Sequence, residues 1–261
     1  MKKLNLHLHT NYSDGNDTME DYAKLMKAKG FACLVTTDHD YHMTLEKYEQ
    51  QLSEAAEVSK RLNFPIFCGL EVSLYEEEAV LLNEEMCKEW FGIKKQVQKE
   101  MRKDDITTLD TWLHAKSLYC DFAFILVHPR LTRVKNLYSL FTHYEIANCG
   151  NYSWEDRKLK EMQHLMPYAK PVAGIDAHGL RFVKDFRMSY SHLITYFESC
   201  NTFSDLLLTI SSRGYYEIHY RDWTYRLHHK WLVFKYGPWY KFKFMIKFKK
   251  LWSDDIYKNF M

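Results

Sequence analysis

LNLHLHTNYSDG, residues 4–15, and FACLVTTDHD, residues 31–40, decide how this chain is read. His7 and His9 stand two apart in the first stretch, so on an extended backbone both imidazoles project to one face. Asp14 follows in a Ser-Asp-Gly loop. His39 sits between Asp38 and Asp40, just beyond the apolar run Cys33-Leu34-Val35. Two strand ends would thus deliver imidazoles and carboxylates to a common rim. That donor set suits Mn, Zn or Fe.

A lone His-x-His pair is commonly structural, and with thirteen histidines in the chain accidental pairs are expected. Recurrence argues for more. Glu71 ends the run Ile66 to Leu70, His128 ends Ala123 to Val127, and Asp176 and His178 follow Val172 to Ile175. Each strand-like run closes on a residue able to bind a cation, which chance seldom produces. His42, His114, His143, His164 and His192 have no such placement and are expected to be structural or solvated.

LHLHTNYSDG, TTDHD, GLEVS, LVHPR and GIDAHG, in that order, resemble the motifs of the PHP (polymerase and histidinol phosphatase) domain family of metal-dependent phosphoesterases. The resemblance spans about Met1 to Tyr220. It implies an α/β fold, a distorted, TIM-like β/α barrel of about seven strands, with two or three divalent ions (Mn, Zn or Fe) at the carboxyl ends of the strands. His7, His9, Glu71 and Asp176 look like the ligands of one ion, and Asp14, His39 and His178 like those of another. Glu71 and His128 would hold a further ion, or Glu71 would bridge. The implied activity is hydrolysis of a phosphoester, a small phosphomonoester or nucleotide, by a metal-activated hydroxide. Asp176 and His178 would act in the chemistry with Arg130, whose planar fork matches two phosphate oxygens. Arg133 is a weaker alternative, and Arg181 is also within reach in sequence. In one place the chain departs from the pattern. Many relatives carry another histidine on the strand corresponding to Glu78-Ala79-Val80-Leu81-Leu82, and Ala79 aligns best with it. Either the centre is dinuclear, or Glu76, Glu77 or Glu78 fills in; a solvated acidic turn is the plainer reading.

The remaining properties bound the class. A chain of 261 residues can bury one large core. Its six cysteines are dispersed without a Cys-x-x-Cys pair, which favours a reducing cytoplasm over a disulfide framework. No apolar run approaches transmembrane length, and the amino end lacks the apolar core of a signal peptide. The formal net charge of +2 hides an asymmetry. Residues 221–261 carry ten Lys or Arg against three Asp, a balance of +7, which leaves residues 1–220 at −5. The expected organisation is therefore a phosphoesterase domain, 1–220, and a basic aromatic extension, 221–261. Strict alternation over Lys241 to Lys249 reads as a half-buried strand packed on the body. The competing function is a catalytically weakened scaffold whose tail contacts an anionic partner or membrane surface.

Helices are expected at Thr18 to Lys29, Leu45 to Leu62, Asn83 to Arg102, Thr108 to Tyr119, Trp154 to Met166 and Phe203 to Ser212. The strand–helix–strand repeat predicts parallel pairing.

Overall fold

The structure is a computed structural model that describes residues 2–128, 135–147, 156–180, 195–197 and 200–211. The chain divides into two units, Met1–Tyr220 and Arg221–Met261, and all described residues lie in the first.

Eight strands are described: β1 (Lys2–Leu4), β2 (Leu34–His39), β3 (Ile66–Leu74), β4 (Glu77–Leu82), β5 (Ala123–Val127), β6 (His143–Ala147), β7 (Lys170–Ala173) and β8 (Thr195–Phe197). The helices are α1 (Met19–Ala28), α2 (Leu45–Leu62), α3 (Glu84–Met101), α4 (Thr107–Ser117), α5 (Asp156–Leu165) and α6 (Phe203–Ser211). Local chemistry sets these bounds. Thr18 caps α1 by accepting from the Asp21 amide at 3.2 Å, and Thr44 does the same for α2 through Lys47. Asn63 ends α2 in the left-handed region, at φ 46°.

Strands β2 to β7 form one six-stranded sheet in chain order. Parallel pairing holds for β2 with β3, β5 with β6, and β6 with β7. It fails at β4, which turns back after Tyr75 (φ 63°) and pairs antiparallel with both β3 and β5. Only Tyr75 and Glu76 separate Leu74 from its partner Glu77, too few for a crossover, so only a hairpin is possible. The sheet is mostly parallel and agrees with the distorted α/β barrel expected of the sequence.

Alternation along the strands separates two cores. Cys33, Val35, Phe67, Val80, Leu82, Ala123, Ile125 and Val127 pack with Leu206, Leu207 and Ile210 of α6. Leu34, Cys68, Leu70, Val72, Ala79, Leu81, Phe124 and Leu126 pack on the opposite side with buried residues of α1 to α4. Helix α6 meets the amino ends of the strands. Phe203 packs edge-on against Phe67, ring centroids 5.3 Å apart, and the Ile210 carbonyl accepts from His143 Nε2 at 3.0 Å. The carboxyl ends of the parallel strands are left for the site.

The first strand differs from expectation. Regular pairing ends at Leu4, where β1 lies antiparallel to β8. Residues 7–9 instead run extended between two neighbours. Thr37 N donates to the Leu8 carbonyl at 2.8 Å, while His9 N donates to Ala177 O and Asp176 N to His7 O, both at 2.9 Å. The histidines are therefore held from both sides without belonging to a long strand.

Candidate metal centre

All eight residues expected to be ligands meet at the carboxyl rim. His7, His9, Glu71 and Asp176 converge most tightly. The two Nε2 atoms are 3.1 Å apart. Glu71 Oε2 lies 3.4 Å from His7 Nε2 and 3.2 Å from His9 Nε2, with Asp176 Oδ1 at 3.5 and 3.3 Å from the same atoms. A second group gathers around Asp14. Its Oδ2 lies 3.3 Å from His178 Nε2, and its Oδ1 lies 3.7 Å from His39 Nε2 and 4.0 Å from His9 Nδ1. The His9 ring stacks between those of His39 and His178, at 4.3 and 4.2 Å between centroids. On the other side of Glu71, Oε1 sits 2.9 Å from His128 Nε2.

The backbone is shaped to allow this. Asp38, beside His39, turns away and is buried beneath the loop that carries Asp14. It accepts from Thr10 N and Thr10 Oγ1 at 2.8 Å, and from Ser13 Oγ and Gln51 Nε2 at 2.5 Å. Gly15 closes that loop where a Cβ would stand 2.3 Å from the His9 carbonyl oxygen. His128 and Asp176 adopt left-handed backbone conformations, φ 28° and 52°. For a bulky residue such as His128 this is strained, and strain of this kind concentrates at functional sites.

Among the described residues, three buried atoms of the cluster, His9 Nδ1, His39 Nδ1 and Glu71 Oε2, find no hydrogen-bond partner. His39 Nδ1 and Glu71 Oε2 are only 2.8 Å apart, yet they are not aligned as donor and acceptor. Buried polar atoms are ordinarily satisfied. Nitrogen and oxygen atoms that converge in this way are what a cation satisfies. The residues present therefore fit divalent metal ions.

A family model described as the PHP domain matches residues 5–246. The chain belongs to the PHP domain family. No curated protein matches it. Solved structures that the chain resembles include two. One is a provisionally described metal-dependent phosphoesterase from Bifidobacterium adolescentis, at 15% identity and TM-score 0.42, covering 67% of this chain and 87% of the other. The other is an amidohydrolase from Chromobacterium violaceum, with bound sulfate and no metal, at 16% identity, TM-score 0.42 and the same coverages. The PHP match runs past Tyr220 into the basic stretch. Together, PHP membership and the His/Asp/Glu cluster support a metal-dependent hydrolase. Among the described residues no helix is long and apolar enough to cross a membrane.

Charge is balanced inside this PHP centre. Burial opposes ionisation of Glu71, but His7, His128 and His39 outweigh it and hold the carboxyl well below its ordinary range. Asp176 and Asp14 are likewise held low, against burial, chiefly by His7 and His9 for the first and by His178 for the second. The reciprocal effect raises the histidines. Burial works against charge on His9, yet the neighbouring carboxylates of Asp176 and Glu71 push it up to about 9. His7 and His128 also move upward, through Asp176, Glu71 and Glu145 for His7 and through Glu71 for His128.

Two residues at the rim escaped the sequence reading. Glu145 on β6 is buried, with Oε1 3.1 Å from His7 Nδ1 and Oε2 accepting from the His128 amide at 3.1 Å. Gly174 makes room for it, since a Cβ there would lie 2.1 Å from Glu145 Oε1. The signal was a carboxylate inside the strand His143–Ala147, which looks like any solvated alternation. Tyr41, half exposed, stacks on His39 with centroids 4.5 Å apart. The neighbour of His39 proves structural. Asp40 is buried and accepts from Trp90 Nε1 at 2.7 Å. Arg130, Arg133 and Arg181 lie outside the described residues.

Proposed function

We propose that the chain hydrolyses a phosphoester, a small phosphomonoester or nucleotide, with two or three divalent cations. The observation that carries this reading is the set of unpartnered buried donor atoms, His9 Nδ1, His39 Nδ1 and Glu71 Oε2, at the convergence of five imidazoles and three carboxylates. His7, His9, Glu71 and Asp176 would hold one ion. Asp14, His39 and His178 would hold another, with Glu71 and His128 serving a further ion or Glu71 shared. Such ions, when bound, supply a water of lowered pKa and positive charge for phosphoryl oxygens.

The chain's own groups do the rest. Glu71, fully buried and ionised, fixes the charge at the centre. Glu145 accepts a hydrogen bond from His7 Nδ1–H and so favours the tautomer that turns the Nε2 lone pair to the cluster. Arg130, two residues after His128, would clamp two phosphate oxygens. Asp176 and His178 would act beside it at the rim. A body balance of −5 disfavours a long polyanion and favours a small substrate. The five described cysteines are free, which fits a reducing compartment, and we assign the protein to the cytoplasm. Residues 221–261 are assigned as a separate extension.

Elemental analysis of the purified chain, followed by phosphate-release assays with p-nitrophenyl phosphate and nucleoside monophosphates in Mn2+, tests the proposal. At least two equivalents of metal and chelator-sensitive phosphate release are expected. A metal-loaded protein that releases phosphate from none of them would overturn the substrate class.

A further inference from the structure

The acidic run Glu76-Glu77-Glu78 is not a solvated turn. Glu76 alone is exposed. Glu77 is buried and accepts from Tyr138 Oη at 3.1 Å. Glu78 turns the opposite way, towards the centre. Strand parity explains why. Val80 and Leu82 face the α6 side of the sheet, whereas Ala79 and Leu81 face the outer helices. Glu78 shares the face of Val80, as Glu71 shares that of Phe67 and His39 that of Val35. Because β4 runs antiparallel, its first residues, not its last, arrive at the rim. Ala79, the position best aligned with the histidine of relatives, points into the outer core, where no side chain could reach the cluster.

Glu78 is partly buried, and Oε2 lies 3.7 Å from His128 Nδ1. Ligand atoms of His39, Glu71 and Glu78 fall within 4.8 Å of one another. The unpartnered atoms Glu71 Oε2 and His39 Nδ1 belong to this same group, and both residues are more than nine-tenths buried. We propose that Glu78 is a metal ligand in this chain and completes, with Glu71 and His39, a further cation position. The proposal rests on the metal-centre reading above and deepens it. Two carboxylates to one imidazole make a harder donor set than the paired-histidine group. This position should accordingly prefer Mn2+ or Mg2+ to Zn2+.

The test is a Mn2+ titration of chelator-stripped full-length protein, counting bound ions by electron paramagnetic resonance of the free ion. Wild type should bind one more equivalent than Glu78→Gln, or bind that equivalent at least about tenfold more tightly, since even outer partners of metal ligands are worth that much. Glu76→Gln removes the same charge from the exposed turn and should leave the titration unchanged. Should Glu78→Gln not fold, Glu78→His keeps a donor at the position, and one equivalent should switch preference from Mn2+ to Zn2+. A Glu78→Gln titration identical to wild type, or a Glu78→His protein with unaltered selectivity, overturns the role of Glu78 alone. Wild type that binds no Mn2+ or Zn2+ overturns the metal centre itself.

Discussion

One carboxylate, that of Glu145, joins two candidate ligands that reach the rim from different parts of the chain: Oε1 lies 3.1 Å from His7 Nδ1, and Oε2 accepts the His128 amide at 3.1 Å. The first contact selects a tautomer. With its proton on Nδ1, His7 presents Nε2 to Glu71 and Asp176. The second contact holds the left-handed backbone of His128.

Glu145→Gln separates these duties. Its amide oxygen can still accept from His128 N, but its NH2 group, if it faces His7, favours the proton on Nε2. Metal affinity should fall about 10- to 100-fold, the usual consequence of losing such a partner. The melting midpoint of the metal-free protein should stay close to wild type. Metal titration and calorimetry of the stripped proteins check both halves, and an unchanged affinity would remove Glu145 from the site.

His7→Ala and Asp176→Ala should each abolish binding of the ion they share and the activity with it, leaving the fold intact. Stability gives an independent reading. A ligand at a hundredfold excess over Kd stabilises by about 2.7 kcal/mol, which for a domain of this size is about 5–10 °C in Tm. Chelation should lower the wild-type midpoint by that order and leave both variants nearly where they were. Variants that respond to chelator as wild type does would refute the assignment.

Arg130→Ala should reduce turnover of a phosphomonoester by about a hundredfold or more while metal content is retained, as expected for one electrostatic donor. Arg130→Lys should restore only part of it, because a point charge lacks the two-pronged fork. Loss of metal in the alanine variant would instead mark Arg130 as a support for His128.

His143 supplies a pH dependence that involves no ligand. Burial, with a small contribution from Lys170, pushes it down to about 4 despite its bond to the Ile210 carbonyl. The unfolded chain takes up a proton near 6.5, whereas the folded chain resists until about 4. Stability from this group is therefore fully present above pH 6.5 and declines as pH falls through that window, by roughly 3 kcal/mol in all. Denaturant unfolding of wild type and His143→Gln at pH 4.5 and 7 should show a smaller acid loss in the variant. Equal losses would contradict the shift.

Much of this architecture is legible in the sequence, because strongly periodic segments and their caps are local. Helix α2 begins after Thr44 and ends at Asn63 for reasons contained within those residues. The candidate ligands are legible too, since each polar residue interrupts the end of an apolar run. Register is not. Sliding a strand by one position exchanges its faces, and nothing in EEEAVLL says whether Glu78 or Ala79 looks inward. Reversal of β4 hides for the same reason, because hairpins and crossovers share one alternating pattern until the connection is measured. Glu145 and His143 are legible only through partners distant in sequence. His7 lies 138 residues from the first, and Ile210 lies 67 from the second.

The order of strands in the main sheet is the order of the chain, β2 through β7. Each strand emerging during synthesis thus finds its neighbour already made, and no segment must be threaded between earlier ones. The ligands have the opposite schedule. His7 and His9 leave the ribosome first, and Asp176 and His178 arrive only after β7. A truncated or stalled chain can build much of the sheet, yet it lacks the residues that close the cluster. Capture of an ion that Asp176 or His178 helps to hold would accordingly come late in folding, and such an ion would certify that the early and late parts of the domain have met.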